Sequence, residues 1–532
     1  MDVSRRTLTR IAFGAILVLA LVLRLRGIHN PIIDHPGWRQ GDTAAIARNF
    51  ATLQFNPLFP QTDYNGPPPN YVELELQIVP FLAAIGYKLF GVHEVFGRLI
   101  SIAFSIGTVA LLYGFARRLF VSEIAAIAAS LLFAVYPGSM YYGRTFMPDT
   151  TMVFFLTAAL WAATEYLRAP EPQSRRLFWI AAVLTALAFL AKPVALLALV
   201  PLAAMMLDRF GVAGAIKRPS VWGLFAVALI PLVVYDKIVG SHAEWHWASQ
   251  ITTKHVIPSL LGTFRSPAAL WEKLRAFKGA FEMLWSTMLG PIGFVAFVLA
   301  LVFVPPRSAR ALVFGWLAGA LLYAFVVVTV ERVDYYLYPF LPLAALVTGG
   351  AIARLGLRVP TTPNARYACA SLAVAAAVVL VVVDSRAVAP YYRYSFANYR
   401  YAKALDARLD PHALVVMGHY DPSILYYINR KGWEEDPYLW TAFNEQSAIR
   451  KGARYFIAIE KNRFARNVEL AAWMERFPVM NAAARWPVYE TDYTKLLPGA
   501  EARWQEFRRR EKAGLLDQPN LPRVPPSSAG AT

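Results

Sequence analysis

Repeated apolar segments constrain this chain more than any other feature of its sequence. Hydrophobic residues make up 57% of its 532 residues and charged residues 17%, whereas soluble domains carry about 25% charged residues. A helix needs roughly 20 apolar residues to cross a bilayer. Segments that approach this length lie near 9–27, 97–116, 122–140, 150–167, 177–191, 193–207, 220–239, 286–304, 310–330, 335–353 and 367–384. The sequence therefore predicts a polytopic α-helical membrane protein with about 11 transmembrane helices.

The segment 76–91 is also apolar, but it is short and contains Pro80 and Gly86, which suits an interfacial helix as well as a span. Cytoplasmic loops are enriched in Lys and Arg. With the N-terminus inside and 76–91 not crossing, every short inside loop carries basic residues, including Arg117 and Arg118. If 76–91 crossed the membrane, Arg117, Arg118 and every basic loop that follows would lie outside. We therefore predict an inside N-terminus and an outside C-terminus. The predicted outward segments are 28–96, 141–149, 240–285, 331–334 and the tail after 385.

The tail differs in kind from the rest of the chain, because apolar runs there are short and alternate with polar residues. Helical periodicity at 401–409 and 421–428 and apolar runs at 413–417 and 455–459 predict a small α/β layer. The predicted units are a membrane domain (1–384, including outward loops 28–96 and 240–285), a periplasmic α/β domain (385–520) and a disordered tail (521–532) rich in Pro, Ser and Ala.

Composition and motifs exclude several classes of function. The net charge of +18 comes mostly from basic residues that flank apolar runs. This distribution indicates the orientation of spans in a membrane and not a groove that binds nucleic acid. Cys369 is the single cysteine of the sequence, so no intrachain disulfide can form. No Walker motif, dinucleotide fingerprint or Cys-x-x-Cys occurs. These absences argue against a soluble nucleotide donor and against energy-coupled transport.

Two acidic residues lie in predicted outward segments, where carboxylates near hydrocarbon mark sites more often than structural needs. Asp42 belongs to the run Trp38–Phe50, and Asp149 ends Gly-Arg-Thr-Phe-Met-Pro-Asp. Each has a functional interpretation, with Asp42 as a general base. Each also has a structural one, as the N-cap of the helix that follows. Arg144 is interpreted as an interfacial anchor.

Other charged residues have similar pairs of interpretations. Lys192, at a predicted outward turn between two spans, suits a phosphate or snorkels to the interface. Glu94 forms an ion pair with Arg98, or holds a hard metal ion together with Asp42. His242 and His246 have i, i+4 spacing but lack the His-Glu-x-x-His pattern, so they support zinc only weakly.

Taken in order, these motifs resemble the GT-C superfamily of membrane glycosyltransferases, in the branch of protein O-mannosyltransferases and lipid A aminoarabinose transferases. The resemblance covers about residues 10–385. The matching pieces are Trp38-Arg-Gln-Gly-Asp42, His93-Glu-Val-Phe-Gly-Arg98, Ala116-Arg-Arg-Leu-Phe120, Tyr142-Gly-Arg-Thr-Phe-Met-Pro-Asp149, Leu190-Ala-Lys-Pro-Val194 and Arg332-Val-Asp-Tyr-Tyr-Leu-Tyr-Pro339.

The resemblance implies an inverting transferase that moves a sugar from a polyprenyl-phosphate carrier to an acceptor hydroxyl on the outer, periplasmic face of a bacterial inner membrane. The acceptor is a glycolipid, polysaccharide or protein, as in lipopolysaccharide biosynthesis and other cell-envelope glycans. It implies these roles: Asp42 as catalytic base, Asp149 as second acidic residue, Lys192 and Arg332 as phosphate ligands, and Tyr335 and Tyr336 as donor-pocket walls.

Glu94 and His255 match the family less closely, and a divalent metal ion at these residues stays an alternative. Relatives carry paired acidic residues in the first loop, whereas Gly41 and Thr43 flank Asp42 here, which argues against a metal.

Two other functions stay open at the level of sequence. One is an oligosaccharide ligase that uses a carrier diphosphate. The other is a transporter or flippase, although transporters place ionisable groups near the midplane and are commonly built from related halves.

Overall fold

The computed structural model describes residues 3–303, 305–355, 362–480 and 485–515. The predicted disordered tail, 521–532, lies outside the described residues. The helices up to residue 387 are α1 (Val3–Leu25), α2 (Gly37–Thr52), α3 (Ile78–Phe90), α4 (Val95–Phe120), α5 (Glu123–Val135), α6 (Pro137–Tyr142), α7 (Asp149–Arg168), α8 (Gln173–Ala191), α9 (Leu199–Lys217), α10 (Pro219–His242), α11 (Trp247–Gln250), α12 (Ile257–Thr263), α13 (Pro267–Met283), α14 (Gly290–Ala300), α15 (Arg307–Tyr323), α16 (Thr329–Glu331), α17 (Phe340–Arg354) and α18 (Pro363–Ala387).

Short 3₁₀ and π segments extend several of these helices. The 3₁₀ segments are Pro193–Ala198, Asp334–Leu337, Ala389–Tyr392 and Tyr493–Lys495, and the π segments are Ile251–Val256, Leu284–Met288 and Ala324–Val328. A two-stranded parallel ladder joins β1 (Val72–Glu73) to β2 (Trp245–His246).

Each of the eleven predicted spans falls on a helix, and the protein is a multi-pass membrane protein. Among the described residues, eight helices are long and apolar enough to cross a membrane. The other three predicted spans fall on α5, α14 and α17, which have 13, 11 and 15 residues. They are shorter than predicted because Pro137 separates α5 from α6, a π segment precedes α14, and the 3₁₀ segment Asp334–Leu337 precedes α17. The number of crossings and their direction stay predictions.

The first predicted span contains a buried arginine. Arg24, near the end of α1, is fully buried. Its guanidinium donates to the hydroxyls of Ser105 (2.7 Å) and Ser139 (2.7 Å) and to the carbonyl of Ala134 (3.2 Å). A charged side chain inside a membrane protein is held by such polar partners in the bundle. Arg24 therefore ties α1 to α4 and to the α5–α6 turn.

The chain after residue 395 forms a small α/β layer. Its strands are β3 (Leu414–Met417), β4 (Lys431–Glu434), β5 (Ala453–Ile457) and β6 (Val488–Glu490), and its helices are α19 (Phe396–Asp406), α20 (Pro422–Ile428), α21 (Ala442–Arg450), α22 (Lys461–Arg466), α23 (Val468–Met474) and α24 (Ala500–Lys512). The strand order is β4-β3-β5-β6. β3 is parallel to β4 and β5, and β6 is antiparallel to β5. The two predicted strands and two predicted helices of this region correspond to β3, β5, α19 and α20.

A buried charge cluster joins this layer to the first long loop. Lys431 donates to the carboxylate of Asp63 (2.5 Å) and to the side-chain oxygen of Asn49 (2.6 Å), and Arg48 also pairs with Asp63. Burial alone would raise the pKa of Asp63, but the charges of Arg48 and Lys431 hold it down to about 2. The α/β layer is thus fixed to the segment that contains α2.

Close backbone packing completes this junction. A Cβ placed on Gly41 in α2 would lie 2.6 Å from the Cα of Ser423 in α20. Apolar side chains from α2, α3, α20 and β3 share one hydrophobic core. Glycine at position 41 therefore lets α2 and α20 approach closely.

We predict that Gly41→Ala destabilises the junction by roughly 1–3 kcal/mol, because the new methyl group overpacks backbone against backbone. The melting temperature of the detergent-solubilised protein should fall. Gly279→Ala in α13 is the matched control, since its Cβ would meet no atom within 4 Å. Equal melting temperatures for the two variants would contradict the packing assignment.

Candidate functional site

Helix α2 carries the first candidate residue in its interior. It begins at Gly37, and its N-cap is Pro36, which makes no side-chain capping bond. Asp42 is therefore the sixth residue of the helix, and the predicted N-cap role of Asp42 is wrong. The sequence signal misled because Asp42 is followed by an apolar run, whereas the helix had already started at Gly37 after proline.

Asp42 is nearly fully buried, at 1% exposure. Its Oδ1 atom accepts no hydrogen bond from any residue that the structure describes. Burial raises the pKa of Asp42 to about 7, against the opposing charge of Arg39 and a hydrogen bond from Tyr64. Asp421 and Asp63 raise it further through like-charge repulsion. A carboxylate with a free oxygen and a pKa near neutrality is suited to accept a proton.

The second candidate acid forms a buried ion pair. Asp149 is the first residue of α7, and the N-cap is Pro148. Its Oδ1 lies 2.7 Å from the Nζ of Lys192, and both side chains are at most 7% exposed. The capping role predicted for Asp149 and the snorkelling alternative for Lys192 are therefore wrong. Asp149 Oδ2 has no hydrogen-bond partner among the described residues, so it can still accept one.

Two tyrosine rings flank the ammonium group of Lys192. Its Nζ lies 4.9 Å from the ring centroids of Tyr335 and of Tyr336, within the range of cation–π attraction. Both tyrosines belong to the 3₁₀ turn before α17. The structure thus brings Asp149, Lys192, Tyr335 and Tyr336 together.

Arg39 connects this group to Asp42. It forms a buried ion pair with Glu75, and its positive charge is felt by Asp42, Asp149 and Tyr335. The sequence motif contains Arg39, but its role was not predicted, because its partner Glu75 lies 36 residues further along the chain. The charge of Arg39 therefore interacts with both candidate acids.

Arg332 is not part of this contact group. Its side chain is exposed, its backbone is left-handed with φ of 47°, and its Nε donates to the carbonyl of Thr329 at 3.4 Å. No contact with Lys192 or Asp149 occurs among the described side chains.

Asp334, in the same turn, is the buried acceptor of a polar cluster that the sequence did not reveal. It accepts hydrogen bonds from the hydroxyls of Tyr142 (2.6 Å), Tyr391 (2.6 Å) and Thr287 (3.0 Å). Burial acts to raise the pKa of Asp334, but His35 and the tyrosine hydroxyls hold it below its usual value. Asp334 thereby anchors the turn that carries the two tyrosines.

The residues considered for a metal ion are not assembled into a metal site. The described residues contain no group of three or more His, Cys, Asp or Glu side chains placed to hold a metal ion. Glu94 does not pair with Arg98, contrary to one interpretation, because Arg98 pairs with Asp34 at 3.1 Å. His255 contacts Glu331 at 3.2 Å.

The structure also revises the interpretations of Arg144 and His246. Arg144 is fully buried and pairs with Asp34 at 2.5 Å, so it is not an interfacial anchor. His246 lies 3.4 Å from Glu73, and Trp247 stacks on Trp38 at 4.7 Å between ring centroids. These contacts hold the segment 240–285 against the segment 28–96.

Carboxylates of the α/β layer also lie near Asp42. Asp421, the N-cap of α20, accepts a hydrogen bond from the Ser423 amide, and a Cβ on Gly37 would lie 3.1 Å from Asp421 Oδ2. Burial raises the pKa of Glu434 well above its usual value, and Asp42 and Asp421 contribute. Distant parts of the chain thus build one acidic wall beside Asp42.

Comparisons with known proteins agree with this architecture. Residues 77–235 match the family model described as dolichyl-phosphate-mannose-protein mannosyltransferase. A protein of Aquifex aeolicus (strain VF5) is 30% identical over 132 residues, which is 24% of this chain and spans only a quarter of that relative. The family match includes Asp149 and Lys192 but not Asp42 or the 332–336 turn.

Solved structures resemble the chain over most of its length. ArnT from Cupriavidus metallidurans bound to undecaprenyl phosphate has a TM-score of 0.59 at 14% identity, covering 90% of this chain and 98% of that one. The oligosaccharyltransferase AglB from Archaeoglobus fulgidus, in complex with an inhibitory peptide and a dolichol-phosphate, has a TM-score of 0.59 at 12% identity, covering 93% and 76%. The chain has the fold of the GT-C glycosyltransferases, and the predicted resemblance is confirmed at that level.

The Asp149–Lys192 pair gives a direct test of the site's electrostatics. We predict that Lys192→Met lowers stability by about 3–5 kcal/mol, because it leaves a buried carboxylate without its partner. Adding Asp149→Asn should recover part of the loss, with a coupling energy of about 0.5–3 kcal/mol.

The measurement is thermal or denaturant unfolding of the four proteins of this double-mutant cycle in one detergent. Strictly additive effects of the two substitutions would contradict a buried, energetically coupled pair.

Proposed function

From the GT-C fold, the buried Asp42, the Asp149–Lys192 pair and Arg39, whose charge acts on both Asp42 and Asp149, we propose that this protein is an inverting glycosyltransferase. It moves a sugar from a polyprenyl-phosphate carrier to the hydroxyl of a glycolipid, polysaccharide or protein acceptor. The observation that carries the proposal is the buried Asp42 carboxylate, whose free Oδ1 and pKa of about 7 suit a general base.

The donor phosphate binds at Lys192. An ammonium group has three donor hydrogens, so Lys192 can keep its bond to Asp149 and still donate to a phosphate oxygen. Tyr335 and Tyr336 line the same place, and Arg332 approaches the phosphate from the outer side of their turn. As the glycosidic bond breaks, negative charge grows on the phosphate, and these cations stabilise it.

The reaction is a single displacement. The acceptor oxygen attacks the anomeric carbon while its proton passes to Asp42, and the bond from that carbon to the phosphate oxygen breaks with both electrons going to the phosphate. Attack opposite to the leaving group inverts the anomeric centre, as it does when water is the acceptor in inverting hydrolysis. Asp149, with its free Oδ2, accepts a hydrogen bond from a sugar hydroxyl and orients it.

The proposed location is the periplasmic face of a bacterial inner membrane. The support is the distribution of basic residues, which assigns the segments with Asp42, Asp149, Lys192 and Arg332 to one side under the positive-inside rule. A polyprenyl-phosphate donor reaches such a site from the bilayer without a soluble nucleotide. The proposal needs no metal ion.

We predict that Asp42→Asn lowers the transfer rate at least about 100-fold, because an amide cannot accept the proton. In the wild-type protein the rate should rise with pH through about 7, since the base is active when deprotonated, and be lost below that pH. The assay measures labelled sugar transfer from a synthetic polyprenyl-phosphate sugar in proteoliposomes. Glu445→Gln, a buried carboxyl in the α/β layer, is the folded control.

Asp421→Asn should shift the acid limb of this profile to lower pH, because it removes a negative charge that raises the pKa of Asp42. Asparagine can still cap α20. A wild-type transfer rate in Asp42→Asn would refute the assignment of Asp42 as base. An acid limb at the same pH in Asp421→Asn and in the wild-type protein would also refute it. Transfer only of an oligosaccharide from a carrier diphosphate would point to a ligase.

A further inference from the structure

A buried glutamine links the two chain segments that carry Asp42 and Asp149. Gln40 lies in α2 and is fully buried. Its Nε2 donates to Asp34 Oδ1 at 2.7 Å, and its Oε1 accepts a hydrogen bond from the backbone amide of Phe146 at 3.2 Å. We propose that Gln40 is a positioning residue that sets the placement of Asp42 relative to Asp149. This inference rests on the proposed function.

The orientation of the Gln40 amide is fixed by its partners. The amide nitrogen donates to Asp34 Oδ1 and also lies 3.2 Å from the carbonyl of Asp34 and 3.3 Å from that of His35. The amide oxygen faces an N–H group that can only donate. A flipped amide would place oxygen against oxygen and donor against donor. Gln40 therefore works as a two-ended bridge.

Each end of the bridge is itself held firmly. Asp34 is fully buried and pairs with Arg98 (3.1 Å) and Arg144 (2.5 Å). The ring of Phe146 packs so closely on Gly97 that a Cβ there would lie 2.3 Å from it. Breaking a buried, charge-linked network of this kind leaves polar groups unpaired.

The bridge acts through helix geometry. Residues two apart on an α-helix point about 200° apart around its axis, so Asp42 lies on the face of α2 opposite to Gln40. Anchoring Gln40 therefore fixes the rotation of α2 about its axis and, with it, the direction of the Asp42 side chain. At the other end, Phe146 is three residues before Asp149, which begins α7. Both ends of the Gln40 amide are taken up by protein partners, so Gln40 acts through these segments.

The test uses Gln40→Met, which keeps the volume but removes both hydrogen bonds. We expect kcat to fall roughly 100-fold, as expected for a misplaced catalytic group, while KM for the polyprenyl-phosphate sugar stays within about twofold, because the Lys192 site is untouched. Gln61→Met is the matched control, since Gln61 is also buried but its side chain makes only a 3.5 Å contact to Gln54.

A second substitution at position 40 extends the test. Gln40→Glu sets two carboxylates against each other and should reduce kcat further than Gln40→Met. If Gln40 had only a structural role, its substitutions would lower the yield of folded protein. They would not lower kcat while leaving KM nearly unchanged.

A second readout does not depend on sugar transfer. In Gln40→Met the backbone amide of Phe146 loses its acceptor, so hydrogen–deuterium exchange of the 143–148 peptide should accelerate. Unchanged exchange and wild-type kcat in Gln40→Met, or an equal loss in Gln61→Met, would overturn the inference. A wild-type protein that transfers no sugar, with accelerated exchange in Gln40→Met, would refute the proposed function and leave the bridge standing.

Discussion

The pairing of the Asp34 carboxylate with two buried arginines holds together the part of the molecule that contains the candidate site. Asp34, Arg98 and Arg144 are all fully buried, and removing charges from water is costly unless each is paired and hydrogen-bonded. Arg98 also donates to the carbonyls of Gly27 and Ile28, at 2.9 and 3.0 Å. The pairing connects the end of α1, the start of α4 and the segment before α7.

The site uses buried charge in two ways. Most of its ionised groups are neutralised by a neighbour: Arg39 by Glu75, Lys192 by Asp149, and Arg48 by Asp63. Asp42 has no ion-pair partner among the described residues, because Arg39 influences it without forming an ion pair. Its pKa is accordingly raised, whereas that of the paired Asp63 is lowered. This contrast between two buried carboxylates separates a group poised to take a proton from one that holds the fold.

Sequence patterns located the helices well, because a bilayer demands consecutive apolar residues whatever the tertiary structure. They did not set the ends of α5, α14 and α17, which are short and packed among neighbours. Local rules failed at Asp42 and Asp149, since a capping residue and a buried site carboxylate look the same in sequence. Asp34 and Gln40 went unnoticed because their other partners, Arg98, Arg144 and Phe146, lie 64 to 110 residues away. No local pattern records such pairs.

The stereochemistry of transfer distinguishes a single displacement at Asp42 from other mechanisms. A polyprenyl-phosphate sugar of defined anomeric configuration, labelled with ¹³C at the anomeric carbon, is supplied to the wild-type protein in proteoliposomes with its acceptor lipid fraction. The NMR coupling constant of the labelled carbon in the product then gives its configuration. A single displacement driven by Asp42 predicts complete inversion. Retention of configuration, or no transfer of the labelled sugar to any acceptor, would contradict this account.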